Sequence, residues 1–126
     1  MRRRRQIRQF PGPSEHQEQA AVVEWFSLLN HPASSLLYAV PNGVHCSKQQ
    51  AAKLLREGMR PGVPDLCLPY PSKGYAALYI EMKVKDNQPS PIQAKFINKL
   101  RSVGNAVVVA RSADHAIRII KAYLEL

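Results

Sequence analysis

Arg60-Pro61-Gly62-Val63-Pro64-Asp65-Leu66-Cys67-Leu68, then Pro69 to Gly74, then Tyr75-Ala76-Ala77-Leu78-Tyr79-Ile80-Glu81-Met82-Lys83-Val84 is the stretch on which the reading of this chain turns. Pro61, Gly62 and Pro64 bar a helix and deliver Asp65 to the mouth of a short strand, Leu66 to Leu68. Pro69 to Gly74 has the composition of a turn. Tyr75 to Val84 is the longest strand candidate, with Ala76, Leu78, Ile80, Met82 and Val84 on one face and Tyr75, Ala77, Tyr79, Glu81 and Lys83 on the other. The connection is short enough for an antiparallel hairpin. With the turn centred near Lys73, residues 65 and 81 fall opposite each other, because 73 is their midpoint. Opposed residues on one face have β-carbons about 5 Å apart, whereas a slip of one residue sends the pair to opposite faces.

Two carboxylates at that separation repel unless positive charge lies between them, and a divalent cation answers that need. Glu81 and Lys83, one residue apart in a strand, leave the same face, which puts an ammonium beside the two acids. A cation, two oxygen ligands and a lysine suit phosphodiester hydrolysis. The hard oxygen ligands point to Mg2+, with Mn2+ as a substitute. A lone Glu-x-Lys is commonly surface decoration. Here Asp65 is one of only three Asp in the chain, and Glu81 interrupts a strand otherwise poor in charge.

Outward from this stretch the chain alternates elements. Residues 1–13 form a basic and then Pro/Gly-rich arm, and 14–126 a single domain. Ser14 caps a first helix in which Glu15, Gln19, Val22, Phe26 and Leu29 share a face. Ser35 to Val40 reads as a strand stopped by Pro41, Asn42 and Gly43. A second helix is expected over Ser47 to Glu57, with Ala51, Leu54 and Leu55 as its apolar side. Ser90-Pro91-Ile92-Gln93 opens a third helix with an N-cap, a Pro at N1 and a Gln that completes a capping box. Ala106 to Ala110 is a Val-rich buried strand, and Ser112 caps a last helix presenting Ala116, Ile117, Ile120 and Leu124. The fold class is α/β, a mixed sheet flanked by helices.

Eighteen Lys and Arg against nine Asp and Glu give a formal charge of +9. Arg2, Arg3, Arg4, Arg5 and Arg8 supply five of these charges, and such a chain attracts polyanions, nucleic acid foremost. Cys46 and Cys67 lack metal-ligand spacing and read as unpaired thiols of a reducing compartment. No apolar run approaches the ~20 residues that span a bilayer, and the arginine-rich start lacks the apolar core of a secretory signal. A cytoplasmic protein with no membrane association is expected.

The residues already quoted resemble the PD-(D/E)xK nuclease signature, with Pro64-Asp65 and Glu81-x-Lys83. More narrowly, the chain resembles a stand-alone VRR-NUC domain of the phage and bacterial kind over about residues 14–122. Further matching features are Glu15 with Gln19, Pro41-Asn42-Gly43, Glu57-Gly58 and Ser90-Pro91-x-Gln93. The resemblance implies a restriction-endonuclease-like core with a four-stranded mixed sheet. It also implies metal ligation by Asp65, Glu81 and the Met82 backbone carbonyl, catalysis by Lys83, and approach of Glu15 to the metal directly or through water. Glu18 is the second candidate for the helix acid. Gln93 would support the site or the phosphate, although its capping box is a sufficient explanation and one side chain does not easily fill both roles.

Members of the family resemble Holliday-junction resolvases. The implied substrate is branched or junction DNA, gripped mainly through phosphates. One site cuts one strand, so symmetric cleavage implies a C2 homodimer. Arg2, Arg3, Arg4, Arg5, Arg8, Asn42, Lys48 and Lys73 are the candidate DNA contacts, whereas Tyr70 and Tyr75 suit packing as well as DNA contact. His31 and His115 are assigned no chemistry. A flap, nick or general nuclease and a binding module that retains the fold without chemistry are the alternatives.

Overall fold

A computed structural model describes residues 12–41 and 47–126. The element order is α1 (Glu15–Ser27), β1 (Tyr38–Ala39), α2 (Lys48–Arg56), β2 (Leu66–Leu68), β3 (Leu78–Met82), α3 (Pro91–Ser102), β4 (Ala106–Ala110) and α4 (Ala113–Leu124). Each of the four helices starts at a serine whose side chain accepts a backbone N–H of the first turn, namely Ser14, Ser47, Ser90 and Ser112. Three of these starts are full capping boxes closed by Gln17, Gln50 and Gln93. These starts satisfy amides that a helix otherwise leaves open.

The strands form one sheet in the order β1-β2-β3-β4, antiparallel at the first two junctions and parallel at the third. Helix α3 is the crossover that a parallel β3–β4 pair requires. Leu66, Leu68, Leu78, Ile80, Met82 and Ala110 project to one face, where Val22 and Phe26 of α1 and Ala116, Ile120 and Tyr123 of α4 close the core. The opposite face carries Cys67, Tyr79, Glu81 and Val107, the odd-numbered partners in the same registers. The expected α/β sheet with flanking helices is thus the observed architecture.

Several boundaries differ from expectation. The strand expected over Ser35 to Val40 is reduced to Tyr38–Ala39, because Ser34 and Leu36 donate their amides to His31 and Ala33 in consecutive turns. His31 reinforces the first of these by accepting the Ala33 amide on Nδ1. The strand expected over Tyr75 to Val84 is regular only from Leu78 to Met82. Tyr75 is bridged to Ser72 across the turn, and the Ala76 amide goes to Gly104, leaving Ala76 exposed and not in the core. Helix α2 buries none of its residues, so Ala51, Leu54 and Leu55 do not contribute to the main core. The expected turn at Asn42 and Gly43, and the basic arm with Arg2, Arg3, Arg4, Arg5 and Arg8, lie outside the described residues.

The β2–β3 register is the one that positions the acids. Leu66, Cys67 and Leu68 pair with Ile80, Tyr79 and Leu78. At the turn, however, Ser72 pairs with Tyr75, with Lys73 and Gly74 both in the left-handed region (φ 52° and 83°), as a tight hairpin turn demands. Between turn and ladder, three residues (69–71) on the β2 side oppose two (76–77) on the β3 side. That bulge shifts the pairing by one residue. Pro69 and Pro71 suit it, since neither has an N–H to offer a ladder.

The far end of the hairpin is tied to α4. Tyr123 is 5% exposed and donates its hydroxyl to the Tyr70 carbonyl at 2.5 Å, while Ser72 donates to the Tyr123 carbonyl at 2.5 Å. Replacing Tyr123 by Phe strands the Tyr70 carbonyl and is expected to cost about 1–2 kcal/mol. Urea unfolding should show a lower midpoint at unchanged slope, and an unchanged midpoint would contradict this account.

Candidate active site

Extending the β2–β3 register by one pair sets Asp65 opposite Glu81 on the face away from the main core. Asp65 lies just before β2, and its Oδ2 accepts the Met82 amide at 2.8 Å. The carboxylate stands where a ladder carbonyl would otherwise be. The N–H and C=O of a strand residue leave the same edge, so the Met82 carbonyl is also directed toward the Asp65 side. On the other edge, the Lys83 amide donates to the Ala110 carbonyl at 2.9 Å, continuing the parallel pairing one residue beyond β3.

Glu81 is 1% exposed, the one charged residue that is buried among the described residues. Its two oxygens have different surroundings. Oε1 accepts from Gln93 Nε2 at 3.2 Å and lies 3.9 Å from Lys83 Nζ. Oε2 is buried and receives no hydrogen bond from an N–H or O–H group of the protein, and the Glu81 carboxyl, when it carries a proton, shares a hydrogen bond with Asp65. A buried carboxylate oxygen without a donor is costly, and a cation is the partner that suits it.

Gln93 makes the capping contact and a contact to Glu81 at once, two bonds that one side chain does not easily combine. Its Oε1 accepts the Ser90 amide at 2.8 Å, closing the capping box of α3, while its Nε2 reaches Glu81. The amide has an acceptor end and a donor end, and the cap uses only the first. The approach of α3 to the acids is set by Gly62. With φ at +84°, Gly62 lies so near α3 that a β-carbon would come 2.8 Å from the Ile92 carbonyl oxygen. This contact holds the loop leading to Asp65 against the residue preceding Gln93.

The first-helix acids take separate places. Glu18 accepts the Ala113 amide at 2.5 Å and so caps the start of α4. Glu15 is half-buried, and its charge raises the proton affinity of both Asp65 and Glu81. Among the described residues no three His, Cys, Asp or Glu side chains assemble into a metal-holding group. The available donors are the two carboxylates and the Met82 carbonyl, all hard oxygens of the kind that Mg2+ and Mn2+ accept; the residues fit such an ion.

Other candidates lie elsewhere. Lys73 occupies the hairpin turn, at the opposite end of β2 and β3 from the acids, and Lys48 is exposed at the first position of α2. Tyr70 packs edge-on against His31, and Tyr75 is 45% exposed beside the turn. Asn42 falls outside the described residues. His115 accepts the Arg111 amide on Nδ1. Sequence reasoning overlooked Gly62 as a spacer and Arg111 as a hydrogen-bonding hub. Nothing local in the sequence distinguishes either.

Burial, followed by the charge of Asp65, pushes the Glu81 carboxyl up to about 8, with Lys83 pulling the other way. Burial also raises Asp65, against the lowering effect of the Met82 amide. The metal-free protein therefore holds a proton at Glu81 that the unfolded chain releases near 4.5. Over that window the native state binds more protons than the unfolded state, so stability falls as pH rises. In chelator, the wild type is expected to lose thermal stability relative to Glu81→Gln between pH 5 and 8. Parallel pH profiles for the two proteins would refute this assignment.

A model of the VRR-NUC domain matches residues 13–114. A solved structure described as a VRR_NUC domain protein superposes with a TM-score of 0.81 at 28% sequence identity, covering 93% of each chain. No curated protein matches the chain. Matched over most of its length by the family model and in three dimensions by a solved protein of that description, the chain belongs to the VRR-NUC family, within the PD-(D/E)xK nucleases.

Proposed function

We propose that this protein is a Mg2+-dependent endodeoxyribonuclease that hydrolyses phosphodiester bonds in branched DNA, with Mn2+ able to substitute. The observation that carries the reading is the buried Glu81 carboxyl opposite that of Asp65 and next to Lys83, with no N–H or O–H donor on its Oε2. Asp65, Glu81 and the Met82 carbonyl would hold the cation, and Glu15, whose charge is felt by both acids, would approach it through water. When bound, that ion polarises a phosphate oxygen and acidifies water.

The chain's own groups do the rest. Gln93 fixes Glu81 by occupying Oε1, which leaves Oε2 for the cation. The Met82 amide fixes Asp65 in the same way. Lys83, with its side chain 16% exposed, presents its ammonium at the edge of the site, where it orients the attacking water or offsets charge gathering on the phosphorus oxygens.

The domain, residues 14–126, is small and holds one set of these residues, so paired cuts across a junction require two chains; a C2 homodimer is the economical assembly. The arginines at 2–5 and 8 would grip a neighbouring duplex, making binding strongly salt-dependent. Among the described residues no helix is long and apolar enough to cross a membrane.

Lys83→Ala is expected to lower cleavage about 10²–10⁴-fold while leaving DNA affinity nearly unchanged. Millimolar Mg2+ should raise the thermal midpoint of the wild type but not of Asp65→Asn, a readout independent of turnover. Synthetic junctions, flaps, nicked and linear duplexes, assayed beside sedimentation velocity, test the substrate. Preferential junction cutting by a dimer is the expected result. A monomer that cuts all of them equally returns a general nuclease, preference for a flap or nick moves the protein to that class, and binding without cleavage in either metal returns a binding module.

A further inference from the structure

The segment between β3 and α3 links two residues that meet at Glu81: Lys83 at its start and Gln93 just beyond its end. Its backbone is unusual, with Lys85 in the left-handed region (φ 55°) and the Asn87 amide turning back to the Val84 carbonyl at 3.3 Å. One side chain from elsewhere holds it. Arg111 donates through Nη1 to the carbonyls of Lys85 and Asn87 and through Nη2 to Gln88 Oε1. Arg111 directly follows Ala110, whose carbonyl receives the Lys83 amide, so the end of β4 fixes both the lysine and the loop after it. Behind it, the Arg111 amide is secured by His115 of α4.

We propose that Arg111 is a positioning residue of this nuclease site, acting through the 84–90 loop to hold Lys83 and Gln93 against Glu81. The inference rests on the nuclease reading above. An arginine at the margin of a basic protein would ordinarily be taken for a phosphate grip. Here both terminal nitrogens of the guanidinium are already directed to loop oxygens, so its work is internal. A flat, forked cation suits three acceptors spread along a loop, and an ammonium satisfies fewer of them.

The test uses the full chain with Arg111→Ala and Arg111→Lys. The expected result for Arg111→Ala is kcat lowered about 10–100-fold, with KM, DNA affinity and the salt slope of binding unchanged. The thermal midpoint should stay within about 4 °C of wild type, and Arg111→Lys should recover part of kcat. Amide exchange over residues 85–88 should accelerate in Arg111→Ala whether or not DNA is cut. A salt slope reduced by about one with kcat intact would make Arg111 a phosphate contact and overturn the proposal. Loss of activity only in proportion to the unfolded fraction, or loop exchange equal to wild type, would overturn it as well. A wild type that cuts no DNA sinks the nuclease reading itself, which the exchange measurement separates from failure of the clamp.

Discussion

Antiparallel pairing between β2 and β3 decides which side chains share a face, and in this protein it decides whether Asp65 and Glu81 meet. Counting back from the Ser72–Tyr75 bridge without interruption would set Leu66 against Glu81 and leave Asp65 facing the other way. The observed ladder instead pairs Leu66 with Ile80. The difference is one residue, absorbed where residues 69–71 oppose 76–77. Turn geometry alone would have separated the acids; the core resolves the conflict, because only the observed register buries Leu66, Leu68, Leu78 and Ile80 together. At roughly 1.5–3 kcal/mol for each large apolar side chain buried, that term outweighs a local irregularity in the ladder.

The same register imposes a cost on the other face. Glu81 is taken out of water beside a second carboxylate, an arrangement that works against stability in the absence of a cation. The surrounding structure limits the cost without removing it. Asp65 uses the Met82 amide, Glu81 Oε1 has Gln93 and Lys83, and Glu81 Oε2 receives no N–H or O–H group of the protein. Without a donor on Oε2, the acid pair depends on a proton between its carboxyls or on a cation to offset its charge. The helices provide the frame: Glu18 ties α1 to α4, and Gly62 lets α3 approach closely.

Much of this was legible in the chain because it depends on short-range rules. Serine caps located three of the helix starts, at Ser14, Ser90 and Ser112, and alternation put Leu78, Ile80 and Met82 on one face; the midpoint argument reached the right pair, Asp65 with Glu81, from a turn centre half a residue off, an error that the bulge cancels. What stayed hidden depends on contacts distant in sequence. Tyr75 to Ala77 has strand-like composition, yet the turn and Gly104 claim its amides. Ser35 to Leu37 is apolar enough for a strand, but the turns after His31 use it first. The assignment of Glu18 to the start of α4 spans 95 residues, and that of Arg111 to the 84–90 loop spans 23 to 26. No periodicity encodes such pairings.

Three helices of this protein open with the same Ser-x-x-Gln device, and at two of them the glutamine is interchangeable in principle with glutamate, which accepts the same amide equally well. At position 93 that freedom vanishes. A glutamate there would still close the helix start, but it would have no hydrogen to offer Glu81 and would bring further negative charge beside two acids that already repel. An asparagine would keep both chemical ends and be one methylene too short to span them. A position that looks like generic helix grammar therefore carries a second constraint, set by the buried acid it touches and not by the helix it opens.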